Sequence, residues 1–319
     1  MNRSPRPWTP LLVSCLAAFA LATPRLASAQ SRYSGIVVFG TSLSDSGNAF
    51  ALRGEQSTPP DFGLDPLLVP SAPYAAGGHH FSNGATWIEQ FARSVGLAGS
   101  VRPAFATTDS EATNYAVGGA RAYDDGINVN LTQQVTRFLE RGTARSDALY
   151  VIEMGGNDIR NAFVVYAGGG DGAPVLQAAL GSIAGNIQRL YAAGARDFLV
   201  WAVPNVALTP AIRSLGPAAG GLVTYLTQVF NHNLDAVVAQ LSAGLSGSSF
   251  ARLDAFAIQN AIVAEPSAFS LTNVTTACVT PNVAPFRCHD ADTFLFWDGI
   301  HPTGAGHAIL ARETASVVQ

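Results

Sequence analysis

No lysine occurs anywhere in the 319 residues; all 18 basic side chains are arginine. That absence excludes a Walker A lysine, a Schiff-base lysine and a Ser-Lys dyad. Charge of either sign is scarce, at 13% of residues, and the formal net charge is −4. Such a chain lacks the basic face by which nucleic acid is bound, so no nucleic-acid partner is expected. Cysteine is nearly missing too, with three residues in all. No His/Cys cluster has zinc-site spacing, so no metal is expected. No GxGxxG follows a strand-like run, and neither HExxH nor an EF-hand loop is present; no cofactor is implied. Past the first thirty residues, no apolar run is long enough to cross a hydrocarbon core of roughly 30 Å.

What the chain does have is apolar mass. Hydrophobic residues make up 48%, a globular composition with enough length for a sizeable core. Residues 1–29 read as an export signal. Arg3 and Arg6 give a positive start, Leu11 to Ala22 an apolar run of signal length, and Ala27-Ser28-Ala29 a small-residue cleavage site. The mature chain is expected to begin at Gln30 and to be secreted or periplasmic. A membrane anchor fits less well, because the run is too short to span. A lipid-attachment box at Cys15 also fits less well, because most of the apolar stretch follows that cysteine. Cleavage removes Arg3, Arg6 and Arg25 and no acid, which takes the charge from −4 to −7. It leaves Cys278 and Cys288. In an oxidising compartment these two are expected to form a disulfide.

Short β-branched or aromatic runs alternate with longer helical patterns. Strands are expected at Ile36 to Phe39, Thr113 to Val117, Ala148 to Met154, Phe198 to Val203 and Phe250 to Leu253. Helices are expected at about 84–95, 131–141, 174–193, 218–243 and 303–317. This alternation predicts a single α/β domain over 30–319, a three-layer α/β/α sandwich around a parallel five-stranded sheet. Two stretches break the rhythm: a Pro- and Gly-rich one at 51–80, and a long irregular one at 264–297 that holds both cysteines. Long loops of this kind often shape a substrate pocket.

In open α/β sheets, ligands bind beyond the carboxyl ends of the strands. Four polar segments fall there or just before a helix. Ser42, in Phe39-Gly40-Thr41-Ser42-Leu43-Ser44-Asp45-Ser46-Gly47-Asn48, sits on a tight turn after the first strand. Its hydroxyl is exposed for attack, and its own N–H can face a developing oxyanion. Gly118 and Gly119, in Asn114-Tyr115-Ala116-Val117-Gly118-Gly119-Ala120, let backbone approach a ligand; spacing does not choose between them. In Gly155-Gly156-Asn157-Asp158, Asn157 can donate to an oxyanion while Asp158 caps the next helix. In Trp297-Asp298-Gly299-Ile300-His301-Pro302, Asp298 can fix the tautomer of His301 and stabilise its imidazolium form. Each segment alone is commonplace. Together they supply nucleophile, base, orienting acid and oxyanion donors.

These residues resemble the GDSL or SGNH hydrolase family. Its four blocks are matched by Ser42 in FGTSLSDSGN, Gly119 in NYAVGGA, Asn157 in GGND, and Asp298 and His301 in DGIHP. Phe81-Ser82-Asn83-Gly84 and Trp87 are similar to a further stretch after the first block. The resemblance spans roughly 36–312 and is nearest to secreted bacterial esterases and lipases, including the passenger domains of autotransporter esterases. It implies a flavodoxin-like SGNH fold and a serine ester hydrolase with Ser42, Asp298 and His301 as triad. Ser42, Gly119 and Asn157 would form the oxyanion hole, with Gly118 as the alternative donor, and an acyl ester or lipid would be the substrate. One departure stands out: the family has Asp before the nucleophile, and this chain has Thr41. The expected effect is reduced or retuned activity, not its abolition. A carbohydrate O-acetylesterase, or a binding module weakened at Thr41, are the alternatives.

Other polar residues rank lower. His79 and His80 are expected in a solvated loop and His232 in a structural helix position. His307 has no assigned partner, Asp45 is expected to bond within its own turn, and Asp254 to cap a helix.

Overall fold

A computed structural model describes Met1 and residues 32–57, 64–65, 69–75, 77–280 and 287–318. The expected export signal, apart from Met1, and residues 58–63, 66–68 and 76 of the Pro- and Gly-rich stretch 51–80 lie outside the described residues. In chain order the elements are β1 (Ile36–Gly40), α1 (Asn48–Leu52), β2 (Leu64–Asp65), β3 (Val69–Pro70), α2 (Trp87–Ser94) and α3 (Leu131–Glu140). Then come β4 (Leu149–Glu153), α4 (Gly156–Ala167), α5 (Ala173–Ala192), β5 (Asp197–Ala202), α6 (Pro210–Arg213), α7 (Pro217–Gly244) and β6 (Ser249–Asp254). The chain continues with α8 (Ala255–Ala264), β7 (Asn273–Ala277), β8 (Phe294–Phe296) and α9 (Gly304–Val317).

The main sheet is parallel, in the order β1-β4-β5-β6. Successive side chains of a strand point to opposite faces. Val37, Phe39, Tyr150, Ile152, Phe198 and Val200 therefore pack on one side against α3, α4, α5 and α7. Ile36, Val38, Leu149, Val151, Leu199 and Trp201 pack on the other against α2 and α9. Both faces are covered, which is why β1 and β4 are buried along their whole length.

The expected five strands are corrected to four in this sheet. Residues 113–117 do run beside β1: Val38 N–H donates to Thr113 O at 3.0 Å, Tyr115 N–H to Val38 O at 2.8 Å and Val117 N–H to Gly40 O at 3.1 Å. Regular pairing stops at Gly40, whose N–H goes to Gln134 Oε1 at 2.9 Å; the segment is held instead by Asn114. Its side chain accepts the Ala116 N–H at 3.0 Å and donates to Ser44 O at 2.8 Å. The segment is an edge strap to the first active-site turn rather than a strand. The 264–297 stretch is also more ordered than expected, with β7 and β8 paired in parallel. Cys278 and Cys288 form a disulfide there.

Candidate active site

The turn carrying Ser42 begins where β1 ends. Gln134 of α3, fully buried, brackets Gly40: its Oε1 accepts the Gly40 N–H and its Nε2 donates to Gly40 O, each at 2.9 Å. This amide stands in for a strand partner where the ladder stops. The chain then turns sharply, and Ser44 N–H closes the turn on Thr41 O at 3.1 Å. Asp45 pins the far side. Its Oδ1 accepts Gly47 N–H at 2.8 Å and Asn48 N–H at 2.6 Å, and its Oδ2 accepts Ala49 N–H at 3.0 Å and Gly118 N–H at 2.8 Å. It bonds within its own turn, as expected, and also reaches across to the glycine pair.

Across the cavity, Trp297 N–H bonds to His301 O at 2.7 Å, closing a tight reverse turn between β8 and α9. Thr303 caps α9 by accepting Gly306 N–H at 3.1 Å. Within the turn, Asp298 Oδ1 accepts the N–H groups of Ile300 (2.9 Å) and His301 (2.8 Å). His301 Nδ1 lies 2.8 Å from Asp298 Oδ2, and His301 Nε2 lies 2.8 Å from Ser42 Oγ. Asp298 is wholly buried and His301 nearly so. A buried carboxylate on Nδ1 holds the proton there, which leaves Nε2 as the acceptor for the Ser42 hydroxyl. The ring of Phe81 backs the imidazole at 5.3 Å between centroids.

The glycine pair resolves into different jobs. Gly118 N–H is committed to Asp45, and a Cβ at 118 would lie 2.2 Å from the ring of Phe81. Gly119 has φ +87°, a left-handed conformation that favours glycine, and it lines the same cavity as Ser42. Of the two, Gly119 is the one whose N–H is not spent on Asp45. Asn157, half-buried at the start of α4, donates one amide hydrogen to Ala120 O at 2.8 Å. Its second amide hydrogen remains for a ligand, and Asn157 also lines the cavity.

Ser42, Gly119, Asn157 and His301 share a cavity of about 320 Å³. Its inner wall is apolar: Trp201 from β5, Ile258 and Ile262 from α8, Leu295 from β8 and Leu310 from α9. Val69, Pro70 and Ser71 reach it from the Pro-rich stretch, so part of that loop does shape the pocket.

Several expectations need correction. Asp158 does not use its carboxylate to cap α4. It accepts Ala122 N–H at 3.0 Å on both oxygens and Tyr123 N–H at 3.2 Å, which ties down the loop after Gly119. Burial pushes its titration up to about 6. His80 is not solvated but buried, with Nε2 2.8 Å from Glu89 Oε2; His79 stacks on Phe50. His232 is exposed on α7. His307 has a partner after all, accepting Trp87 N–H on Nδ1 at 3.2 Å. Asp254 caps α8 as expected, accepting Ala257 N–H at 2.9 Å. Two residues at the site were not foreseen. Tyr74 OH donates to Asp298 Oδ2 at 2.9 Å. Glu153 ends β4 directly beneath the Ser42 turn and lines the cavity.

Residues 36–314 match the model of the GDSL-like Lipase/Acylhydrolase family. The chain belongs to that family. A GDSL esterase/lipase of Arabidopsis thaliana is 25% identical over 87% of this chain and 85% of its own length. Another from the same plant is 26% identical over 87% and 89%. Esterase EstA of Pseudomonas aeruginosa is 27% identical over 97% of this chain but only 50% of its own length. Membership of the GDSL family makes ester hydrolysis the activity of this chain. The GDSL motif itself reads GTSL here, and the carboxylate missing at Thr41 has a neighbour in its place. Glu153 accepts both the Thr41 N–H and the Thr41 hydroxyl. An acid ending the apolar run Leu149–Glu153 was the available signal for it.

Proposed function

We propose that this chain is an exported serine ester hydrolase acting on acyl esters through a Ser42-His301-Asp298 triad. The observation that carries the reading is the unbroken chain of contacts from Ser42 Oγ to His301 Nε2 (2.8 Å) and from His301 Nδ1 to Asp298 Oδ2 (2.8 Å). Ser42 Oγ attacks the ester carbonyl as its proton passes to His301 Nε2, and Asp298 stabilises the resulting imidazolium. The oxyanion of the tetrahedral intermediate lies among the N–H groups of Ser42 and Gly119 and the second amide hydrogen of Asn157. Collapse expels the alcohol, which takes the proton from His301. Water then attacks the acyl-enzyme with His301 again as base, releasing the carboxylic acid and restoring Ser42.

The apolar inner wall of the cavity, with Trp201, Ile258, Ile262, Leu295 and Leu310, supports an acyl chain longer than acetyl. That weighs against carbohydrate O-deacetylation. The complete contact chain weighs against an inactive binding module. Export is supported by the signal-like residues 1–29 and by the Cys278–Cys288 disulfide, since such bonds persist in oxidising compartments. Among the described residues, no helix is long and apolar enough to cross a membrane.

The test is labelling by a fluorophosphonate together with a chain-length series of p-nitrophenyl esters. The reading expects labelling that vanishes in Ser42→Ala, and kcat/KM that rises from acetyl to medium chains. An unlabelled wild-type protein would sink the hydrolase reading, and an acetyl optimum would favour the deacetylase. Mass measurement of the exported protein checks for a start at Gln30.

A further inference from the structure

The Glu153 carboxylate is 4% exposed, and everything that reaches it from the Ser42 turn is a donor. Thr41 N–H donates to Oε2 at 2.9 Å. Thr41 Oγ1 lies 3.0 Å from Oε1 and 3.1 Å from Oε2. Ser44 Oγ lies 3.0 Å from Oε2. The direction of that last bond is fixed by Trp87, whose indole N–H donates to Ser44 Oγ at 3.0 Å; the serine's own proton is left for Glu153. The approach is close enough that a Cβ on Gly40 would stand 2.9 Å from Oε2. An ionised carboxylate, which only accepts, satisfies all of these bonds at once. A protonated one must donate a hydrogen itself, and one of the donors facing it has to turn away.

We propose that Glu153 is a positioning residue for the nucleophile: ionised, it ties both ends of the Thr41–Ser44 turn to the end of β4 and so holds Ser42 Oγ against His301 Nε2. This rests on the reading of Ser42 as nucleophile. Among the described residues, none of the groups that hydrogen-bond the Glu153 carboxylate is a cation. Burial pushes its titration up to about 7, opposed by the hydrogen bonds from Thr41 and Ser44. The titratable groups around it are few. His301, Arg53 and Arg160 line the same cavity; Asp45 lies on the same turn, bound by four N–H groups; His307 lies behind Trp87. The turn is therefore set in the ionised form and loosened in the protonated form, across the neutral range. All the hydrogen bonds of the Glu153 carboxylate go to the Ser42 turn, and its effect reaches the reaction through Ser42.

The test is the pH dependence of kcat and KM, from pH 5 to 9, for wild type, Glu153→Gln, Glu153→Asp and Thr41→Val, with thermal melting of each. Glu153→Gln turns one acceptor into a donor, so the Thr41 hydroxyl must reverse from donor to acceptor to stay bonded to it. It is expected to lower kcat roughly 10–100-fold, the scale of a misplaced reactive group, with KM little changed. It is also expected to remove one ionisation from the acidic limb of the kcat profile. Glu153→Asp keeps the charge and is expected to keep that ionisation. Thr41→Val deletes one donor and keeps the backbone N–H; it is expected to move the ionisation upward by about half a unit to one unit. A Glu153→Gln profile that superimposes on wild type overturns the proposal. So does a loss of kcat that merely follows the folded fraction with the profile unchanged. If Glu153→Gln does not fold, Thr41→Val decides, and an unmoved ionisation overturns the proposal. Ser42→Ala separates the two readings. Activity surviving in Ser42→Ala refutes the nucleophile itself, whereas its loss alongside wild-type behaviour of the Glu153 and Thr41 variants refutes only the role of Glu153.

Discussion

The phenol of Tyr74 donates to Asp298 Oδ2 at 2.9 Å, so the acid of the proposed triad is held by a residue 224 positions away as well as by its own turn. Tyr74 is buried against Trp297, Val279 and the disulfide-bonded Cys278 and Cys288. Burial and the charge of Asp298 drive its titration far above the ordinary tyrosine range, so it stays a donor at every working pH. Tyr74→Phe removes only that hydrogen bond. A hydrogen bond to a buried charge contributes about 1.5–3 kcal/mol. Two of the Asp298 contacts, the N–H groups of Ile300 and His301, survive the change. The expected outcome is a lowered melting temperature and a fall in kcat of roughly three- to tenfold at unchanged KM, about 0.6–1.4 kcal/mol and so less than the whole of that hydrogen-bond energy. Steady-state kinetics beside calorimetry would check it, and full activity in Tyr74→Phe would count against the bond as an orienting contact.

The proposed oxyanion donors and the neighbouring Gly118 separate by substitution. Asn157→Ala deletes the amide and is expected to lower kcat about 10²–10³-fold with little effect on KM. Gly119→Ala meets no nearby atom closer than 3.7 Å but forces a side chain onto φ +87°. That strain costs about 1–2 kcal/mol and tilts the N–H, so kcat should fall with only a modest loss of stability. Gly118→Ala instead drives a methyl into Phe81, the ring that backs His301. It is expected to lower stability and activity together. Melting curves beside kcat distinguish the three, and an Asn157→Ala enzyme as fast as wild type would remove that residue from the oxyanion hole.

The sheet and the site differ in how far they could be read from sequence, for a physical reason. β1, β4 and β5 are short, mostly apolar runs stopped at or soon after their ends by Gly40, Gly155 and Pro204, and such runs announce themselves locally; β6, Ser249–Asp254, is more mixed and leads straight into α8. The segment 113–117 carries the same signal, but the Gly40 N–H that would continue its pairing goes to the Gln134 side chain, a partner 94 positions away. Of the helices outside the five expected ranges, α4 and α8 are anticipated only through the caps assigned to Asp158 and Asp254, and α1 and α6 have 5 and 4 residues, too short for a periodic pattern. Ser42, Asn157, Asp298 and His301 were visible because each lies in a compact local pattern. Tyr74 and Glu153 make their contacts across 224 and 109–112 positions; an acid ending an apolar run marked Glu153 as unusual, but no local pattern records what either residue touches.

Restoring the family's aspartate at position 41 is expected to harm this enzyme rather than improve it. Both the N–H and the side chain of Thr41 already face Glu153. A second carboxylate there would sit within hydrogen-bonding distance of the first, and two such groups cannot both ionise without a large penalty. Thr41→Asp should lose roughly 1–3 kcal/mol of stability at pH 8, the usual cost of an uncompensated buried polar group, and less at pH 5, where one proton can be shared. The double variant Thr41→Asp with Glu153→Gln keeps one carboxylate at the turn and is expected to recover stability and part of kcat. Chemical denaturation at the two pH values measures this. A Thr41→Asp protein as stable as wild type at pH 8 would show that the two side chains do not meet.

Acid should unfold this protein through His307. Its ring is fully buried and its Nδ1 accepts the Trp87 N–H, an arrangement open only to neutral imidazole. Burial, with the nearby imidazoles of His80 and His301, lowers its titration to about 3. A histidine depressed from 6.5 to about 3 binds a proton more readily when unfolded. Its contribution is therefore fully present above pH 6.5 and is lost as pH falls toward 3. The full window corresponds to at most about 5 kcal/mol. Glu153 and Asp158 act in the opposite sense. Their titrations are raised to about 7 and about 6, so the stability they give is present below about pH 4 and lost as pH rises through those values. The net curve mixes the three, but a difference curve isolates one. His307→Gln keeps a hydrogen-bond acceptor for Trp87 and cannot be protonated. Between pH 7 and pH 4 the wild-type protein is expected to lose stability relative to His307→Gln, by an amount that grows as pH falls. Denaturation midpoints at half-unit steps would give this curve, and parallel pH dependence of the two proteins would rule His307 out as the acid-labile group.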